Sequence, residues 1–267
     1  MTQVNYLPQS ATQSRINVLG IGISVINMDD ALQRMATWID QKQRHYVCVT
    51  GVHGVMESHR SPELRHIHNA AGMVTPDGMP LAWLLKLAGF HHADRVCGPE
   101  LMPRMFVLSQ PRGDRHFLYG GSQTALELLQ RRLLDLAPNA QIAGMYSPPY
   151  RALTTQEDAE IIAMINNSEA DIVWVGLSTP KQEKWMAAHR AHLEASILIG
   201  VGAAFDIHAG LIPRAPRFLR RTGFEWTYRL LREPRRLWWR YLSNNPAFVT
   251  LVALQKIGLY RPSIEPI

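Results

Sequence analysis

Short runs of apolar, β-branched residues alternate along this chain with segments whose apolar positions recur every three or four residues. The runs at 17–21, 46–50, 73–75, 115–119, 141–145, 171–176 and 196–200 read as strands, most of them apolar on both faces. Between them the helical spacing predicts helices over about 29–42, with Ala31, Met35, Trp38 and Ile39 on one face, and over 61–70, 79–87, 124–136 and 155–166. Further helices are predicted to start near Cys97-Gly98-Pro99-Glu100 and at Thr179. Strand and helix alternate about six times, which predicts an α/β fold: a Rossmann-like, mainly parallel sheet with helices on both faces. After Pro213 the pattern changes to helical segments rich in arginine and aromatics, broken at Pro216, Pro234 and Pro246. The expected organisation is a disordered leader over 1–14, a catalytic α/β domain over 15–210 and a helical appendage over 211–267.

The stretch 171–185 concentrates this pattern. A buried strand ends at Gly176, and a helix is predicted to start with Thr179 at the N-cap, Pro180 in its first position and Gln182 closing a capping box. Free N–H groups, the helix dipole, Lys181 and Lys184 make it a place suited to a phosphate-bearing ligand, although a capping box explains Gln182 without one. Gly120-Gly121-Ser122 is a second glycine turn before a helix capped by Ser122, and it is not a Walker loop, since no Gly-Lys-Ser/Thr follows. Gly20-Ile-Gly22 lacks the third glycine of a dinucleotide fingerprint and reads as a turn. Asp77, in Pro76-Asp77-Gly78, fits a turn on local grounds, yet at a strand's carboxyl end its carboxylate can serve as a general base. Thr50, closing another strand ahead of a glycine-spaced loop over 50–54, is either a β-branched strand residue or a group that orients a substrate hydroxyl. Asp206 is a further acidic candidate, equally readable as an N-cap or turn residue.

Composition narrows the class. Hydrophobic residues make up 46% and charged residues 19%, which is globular. Cys48 and Cys97 form no CxxC and predict free thiols. The first fifteen residues are polar and carry no secretory signal, and no apolar run reaches the length of a membrane span. The net charge of +6 is uneven: residues 214–241 hold nine arginines against two acids, +7 in all, and the rest of the chain stands at −1. With its seven interleaved aromatics this tail fits a nucleic-acid binder, a solvated helix face or a segment lying on an anionic membrane; the apolar run 247–254, too short to span, favours the membrane. His66-x-His68 and His189-x-x-His192 read as solvated faces, and there is neither an HExxH nor an Asp-x-Asp pattern, so no metal site is expected.

Several segments resemble the WecG/TagA/CpsF glycosyltransferases, glycosyltransferase family 26: Thr75-Pro-Asp-Gly-Met79, Phe117-Leu-Tyr-Gly-Gly121, Val175-Gly-Leu-Ser-Thr-Pro-Lys-Gln-Glu-Lys-Trp185, Gly200-Val-Gly-Ala-Ala-Phe-Asp206, Arg214-Ala-Pro216 and Glu225-Trp-Thr-Tyr-Arg-Leu-Leu-Arg-Glu-Pro-Arg-Arg236. The resemblance spans about residues 16–242. It implies an inverting enzyme, peripheral on the inner face of the cytoplasmic membrane, that moves N-acetylmannosamine, its uronic acid or glucose from a UDP-sugar to a polyprenyl-diphosphate-linked saccharide. It implies no cofactor and no essential metal. Asp77 is then the base and Thr50 a second key residue. Gly120, Gly121 and Gln182, with Lys184 and Asp206, fall on the nucleotide side. Arg229 and Arg236, with Arg240 less closely matched, fall on the leaving diphosphate. The implied partners are the UDP-sugar, the lipid-linked acceptor and an anionic membrane surface, with no nucleic acid; a monomer and an oligomer that shares sites are both open. Many members carry Thr-x-Asn where this chain has Thr50-Gly51-Val52-His53, which makes His53 a candidate for an acceptor-side role. Two rivals remain at this level: a nucleotide-dependent oxidoreductase on the same type of sheet, and a non-enzymatic adaptor built on the tail.

Overall fold

A computed structural model describes residues 14–264, apart from the side chain of Arg236. The leader expected over 1–14 lies, but for Ser14, outside the described residues. The chain begins with an antiparallel hairpin, β1 (Arg15–Val18) and β2 (Ile21–Ser24), where the pattern predicts a single strand over 17–21. Leu19 and Gly20 both have positive φ, 55° and 90°, and turn the chain between the strands. Then come α1 (Met28–Asp40), β3 (His45–Thr50), α2 (Val52–Arg60), α3 (Pro62–Ala70), β4 (Met73–Pro76), α4 (Met79–Leu87) and α5 (Gly98–Ser109). They are followed by β5 (Arg115–Gly120), α6 (Gln123–Leu136), β6 (Gln141–Tyr146), α7 (Thr155–Asn167), β7 (Ile172–Gly176), α8 (Lys181–His189), β8 (Ile197–Gly200) and α9 (Ala204–His208). The C-terminal segment folds as α10 (Arg217–Arg221), α11 (Glu225–Arg232) and α12 (Pro234–Lys256).

Six strands, β3 to β8, form one parallel sheet in the order β4-β3-β8-β7-β5-β6. The period of two along each strand divides the core. Cys48, Val173, Val175 and Leu198 face one side, under α2, α3, α4, α7, α8 and α12. Val47, Val49, Ile172, Trp174, Ile197 and Ile199 face the other, under α1, α5, α6 and α9. Helices on both faces explain why these strands carry apolar runs.

Three local expectations differ. The loop over 50–54 is cut short, because Gly51 caps α2 and His53 and Gly54 lie in its first turns. No capping box starts α8: Pro180 occupies the cap position, and the Thr179 hydroxyl donates to Glu183 Oε1 at 2.9 Å. Pro246 does not break the last helix, which runs on to Lys256. A proline there removes only the bond to the Leu242 carbonyl, on a turn exposed enough for water to replace it. The run 247–254 is also less free for a membrane than its hydropathy suggests, since Phe248 is buried and Ala247, Leu251 and Val252 pack on the same core. Gln255 seals that contact, accepting from Leu19 N–H and donating to the Asn17 carbonyl, both at 3.0 Å.

Candidate active site

The carboxyl ends of the parallel strands share one edge of the sheet, where open α/β sheets place their ligands. At that edge Asp77 leaves β4 beside Thr50, the last residue of β3, and Gly51, the cap of α2. Its N–H donates to the Thr50 carbonyl at 2.9 Å. A Cβ at residue 51 would lie 2.8 Å from the Asp77 carbonyl oxygen, so this close approach requires glycine. Thr50 itself is buried: its hydroxyl donates to the Cys48 carbonyl at 3.3 Å and its methyl lies against Gly54. Asp77 stays half-buried. Desolvation pushes its carboxyl up to about 6, against the pull of Arg95 and Arg229 and with the help of Glu225 and Glu100. The group is thus ionised at neutral pH and still basic enough to take a proton.

The C-terminal segment closes over this corner. Arg95 donates to Glu225 Oε2 of α11 at 2.7 Å and to Glu100 Oε1 of α5 at 3.0 Å. The same Glu100 oxygen accepts from Arg214 at 2.6 Å and from Arg220 of α10 at 2.7 Å. Burial would raise the Glu100 carboxyl, but Arg95, Arg214 and Arg220 together hold it below its usual value. Arg229, on α11, lies within electrostatic reach of Asp77. Arg236, the other expected diphosphate ligand, belongs to α12, but its side chain lies outside the described residues. His53 sits at the junction of α2 and α12, its Nδ1 3.1 Å from Asn244 Nδ2 and 3.8 Å from Glu57. Burial, then Arg240 and Arg60, push its imidazole down to about 3, so it is neutral near pH 7.

The other half of the edge is built from glycines. A Cβ on Gly120, which has φ 115°, would meet the Gly176 backbone at 2.8 Å, and one on Gly176 would strike the Phe205 ring at 2.7 Å. Gly121 turns over Phe205, and Asp206 follows in α9. Gln182 is buried beneath Gly200 and Gly202; its amide donates to Glu183 Oε1 at 3.0 Å, and its Oε1 finds no partner among the described residues. Lys184 is exposed and pairs with Glu63 of α3 at 2.6 Å. The sheet therefore gathers Thr50, Asp77, Gly120, Gly121, Gln182 and Asp206 along its carboxyl edge, with Lys184 turned to α3 and His53 to α12.

Sequence reasoning missed Arg95, Glu100, Glu183 and Glu225. Glu183 is 1% exposed, a carboxylate in the first turn of α8 holding both Thr179 and Gln182. Its available signal was an acid at a position that the helix period turns inward. Two histidines expected on solvated faces are buried instead. His68 shares Nδ1 between the Ser58 hydroxyl and the Leu64 carbonyl, each at 2.9 Å, and His189 lies between the Trp185 carbonyl and Asp158. The carbonyls lie one helical turn away, but Ser58 and Asp158 are partners that only packing brings near. Among the described residues no three His, Cys, Asp or Glu side chains gather as a metal-ligand set.

Residues 16–262 match the family model described as glycosyl transferase WecG/TagA/CpsF family. The chain belongs to that family. Its relatives include N-acetylglucosaminyldiphosphoundecaprenol N-acetyl-beta-D-mannosaminyltransferases. That of Bacillus spizizenii is 30% identical over 227 residues, 85% of each chain. That of Bacillus subtilis is 26% identical over 243 residues, 87% of this chain and 92% of the relative. That of Staphylococcus aureus is 22% identical over 250 residues, 93% of this chain and 96% of the relative. As a WecG/TagA/CpsF member the protein is a glycosyltransferase, which decides against the oxidoreductase and adaptor readings. Among the described residues of this family member no helix is long and apolar enough to cross a membrane.

Proposed function

We propose that the protein transfers one hexose-type sugar from a UDP-sugar to a polyprenyl-diphosphate-linked saccharide, with inversion at the anomeric carbon. Residues 15–210 are the catalytic body, and the segment from 211 completes the cleft. N-acetylmannosamine is the first choice of sugar, because the relatives named above transfer it, and N-acetylglucosaminyl-diphosphoundecaprenol is the corresponding acceptor; N-acetylmannosaminuronic acid and glucose are the alternatives. The reading rests on one observation above the rest: a strand-end carboxylate, Asp77, tuned to about 6 beside Arg95 and Arg229. In the proposed step Asp77 accepts the proton of the acceptor hydroxyl. That oxygen bonds to the anomeric carbon as the bond to the UDP oxygen breaks, and UDP leaves with the electron pair. Arg229, and Arg236 by the family resemblance, face the developing charge on the diphosphate. The Gly120–Gly121 turn before α6 offers backbone N–H groups to the nucleotide phosphates. No essential metal enters the scheme.

The exposed Trp238, Trp239 and Leu242, set among the arginines of α12, support a peripheral position on an anionic membrane at the cytoplasmic face, where the lipid-linked acceptor is reached. The test is a transfer assay read by mass spectrometry, with UDP-N-acetylmannosamine, its uronic acid and UDP-glucose against polyprenyl-diphosphate N-acetylglucosamine. A product heavier by one sugar residue, lost in Asp77→Asn, is the expected result. Full turnover by folded Asp77→Asn would remove the base assignment. Absence of product from every pair, together with no UDP binding by calorimetry, would remove the reading itself.

A further inference from the structure

We propose that Glu100 is a positioning residue: by gathering Arg95, Arg214 and Arg220 on one carboxylate oxygen it sets the C-terminal segment over Asp77. The argument begins with what does not hold that segment. Among the described residues no side chain between 216 and 235 is buried, and neither α10 nor α11 contributes one to the core. The buried anchors lie outside it, at Ala215 and Leu237. Fully buried side chains therefore fix the two ends of the stretch, while its interior is at most half-buried, with the Trp83 ring against Gly223, and leans on other forces as well.

Those forces are ionic and centred on Glu100. Arg214 reaches it from just before the stretch, Arg220 from α10, and Arg95 from the body at 3.0 Å. Arg95 spends its second nitrogen on Glu225, the first residue of α11. One chain of four ion pairs thus runs from α10 through the body to α11, four residues before Arg229. The pairs are partly sheltered: the Arg95 and Arg220 side chains are 10% and 14% exposed and those of Glu100 and Glu225 34% and 29%, so solvent screens them less than fully exposed pairs. The guanidiniums also outnumber the carboxylates three to two, so the hub is stable only with both acids ionised and in place.

A division of labour among the arginines follows. Arg214 and Arg220 are committed to Glu100 and hold position. Arg229 forms no ion pair among the described residues, and it is the arginine that the hub delivers to Asp77. This division rests on the glycosyl-transfer reading above, whereas the positioning itself does not.

The experiment compares the full-length protein with Glu100→Gln by hydrogen exchange and by kinetics. Backbone amides over 216–233 are expected to exchange about tenfold faster or more in the variant, with β3, β7 and β8 unchanged, because the segment loses its ionic anchor while the core keeps its packing. Turnover should fall about tenfold or more while the donor KM moves less than about twofold, and Glu100→Gln combined with Arg214→Met should be little worse than either alone. Unchanged exchange over 216–233, or fully additive effects of the two substitutions, would overturn the proposal. If Glu100→Gln does not fold, Glu225→Gln, on a side chain that no core packing needs, tests the same hub: faster exchange over 224–233 supports it and unchanged exchange rejects it. If the wild-type protein transfers no sugar to any acceptor, the exchange data still decide the positioning role, and the failure then belongs to the functional reading alone.

Discussion

In its proposed role as the base, Asp77 combines an activity and a cost in one side chain. Its carboxyl sits near 6 because burial outweighs Arg95 and Arg229, so the ionised form that accepts a proton is the form the fold resists. Two outcomes follow. The rate kcat/KM should fall as pH drops through about 6 and level off above it, since the base must be unprotonated; a profile flat from pH 5 to 8 would count against Asp77. In the folded state the group holds its proton between about 4 and 6 where the unfolded chain has lost it, so stability declines as pH rises through that window and the deficit persists above it. Asp77→Asn should therefore lower turnover by about 10²–10⁴-fold while raising stability at pH 7 by roughly 1–3 kcal/mol, read from denaturant melts. A loss of activity accompanied by a loss of stability would mark Asp77 as a structural turn residue instead. The sequence offered the aspartate and its strand end; the arginines and glutamates that tune it come from residues 95, 100, 225 and 229, which no local pattern joins.

At the scale of elements, the strand ends are shaped by how closely backbones approach. Gly120→Ala places a Cβ 2.8 Å from the Gly176 backbone at a φ of 115°. It should cost roughly 1–3 kcal/mol and raise the donor KM, as measured by thermal melts and steady-state kinetics; an unchanged melt would mean that the turn between β5 and α6 relaxes freely. The contact of α2 with α12 carries a different signature. His53 is held neutral, its imidazole pushed down to about 3, while an unfolded histidine titrates near 6.5. The folded protein binds fewer protons in that range, so the contribution of His53 is complete above 6.5 and is lost as pH falls toward 3. His53→Asn, which keeps a polar group toward Asn244 without a titrating ring, should flatten part of the acid-side loss of Tm between pH 6.5 and 4.5. Equal acid sensitivity in both proteins would shift that loss to other groups. Strand β3 was legible in the sequence, whereas α2 was not predicted. The glycine spacing around His53 reads as a loop, whereas the residue lies in the first turn of α2.

For the whole molecule, charge asymmetry and packing act on the same segment. The arginine-rich tail carries the excess positive charge, yet Arg214 and Arg220 point inward to Glu100, and Phe248 and Leu237 tie α12 to the body. The surface proposed for a membrane is the exposed Arg217, Arg221, Arg232 and Arg235 with Trp238, Trp239 and Leu242. Flotation with vesicles should show binding to phosphatidylglycerol-rich membranes that weakens as salt rises from 0.05 to about 0.5 M, because exposed charges are screened over about 10 Å or less. Trp238→Ser together with Trp239→Ser should weaken it further. Equal binding to neutral vesicles at high salt would show that apolar insertion, and not charge, drives it.

The strand and helix periods, the glycine turns and the charge of the tail are local properties, and each was readable in order along the chain. The parallel sheet followed from them because apolar runs on both faces of a strand demand helices on both faces of the sheet. What only the tertiary structure decided were the long-range pairings. The order β4-β3-β8-β7-β5-β6 brings Thr50, Asp77, Gly120, Gly176 and Gly200 to one edge. The ion pairs of Glu100 take up Arg214 and Arg220 and leave Arg229 within electrostatic reach of Asp77. A charge in a sequence carries no record of its partner, since Coulomb interactions depend on distance in space and on the solvent that folding removes.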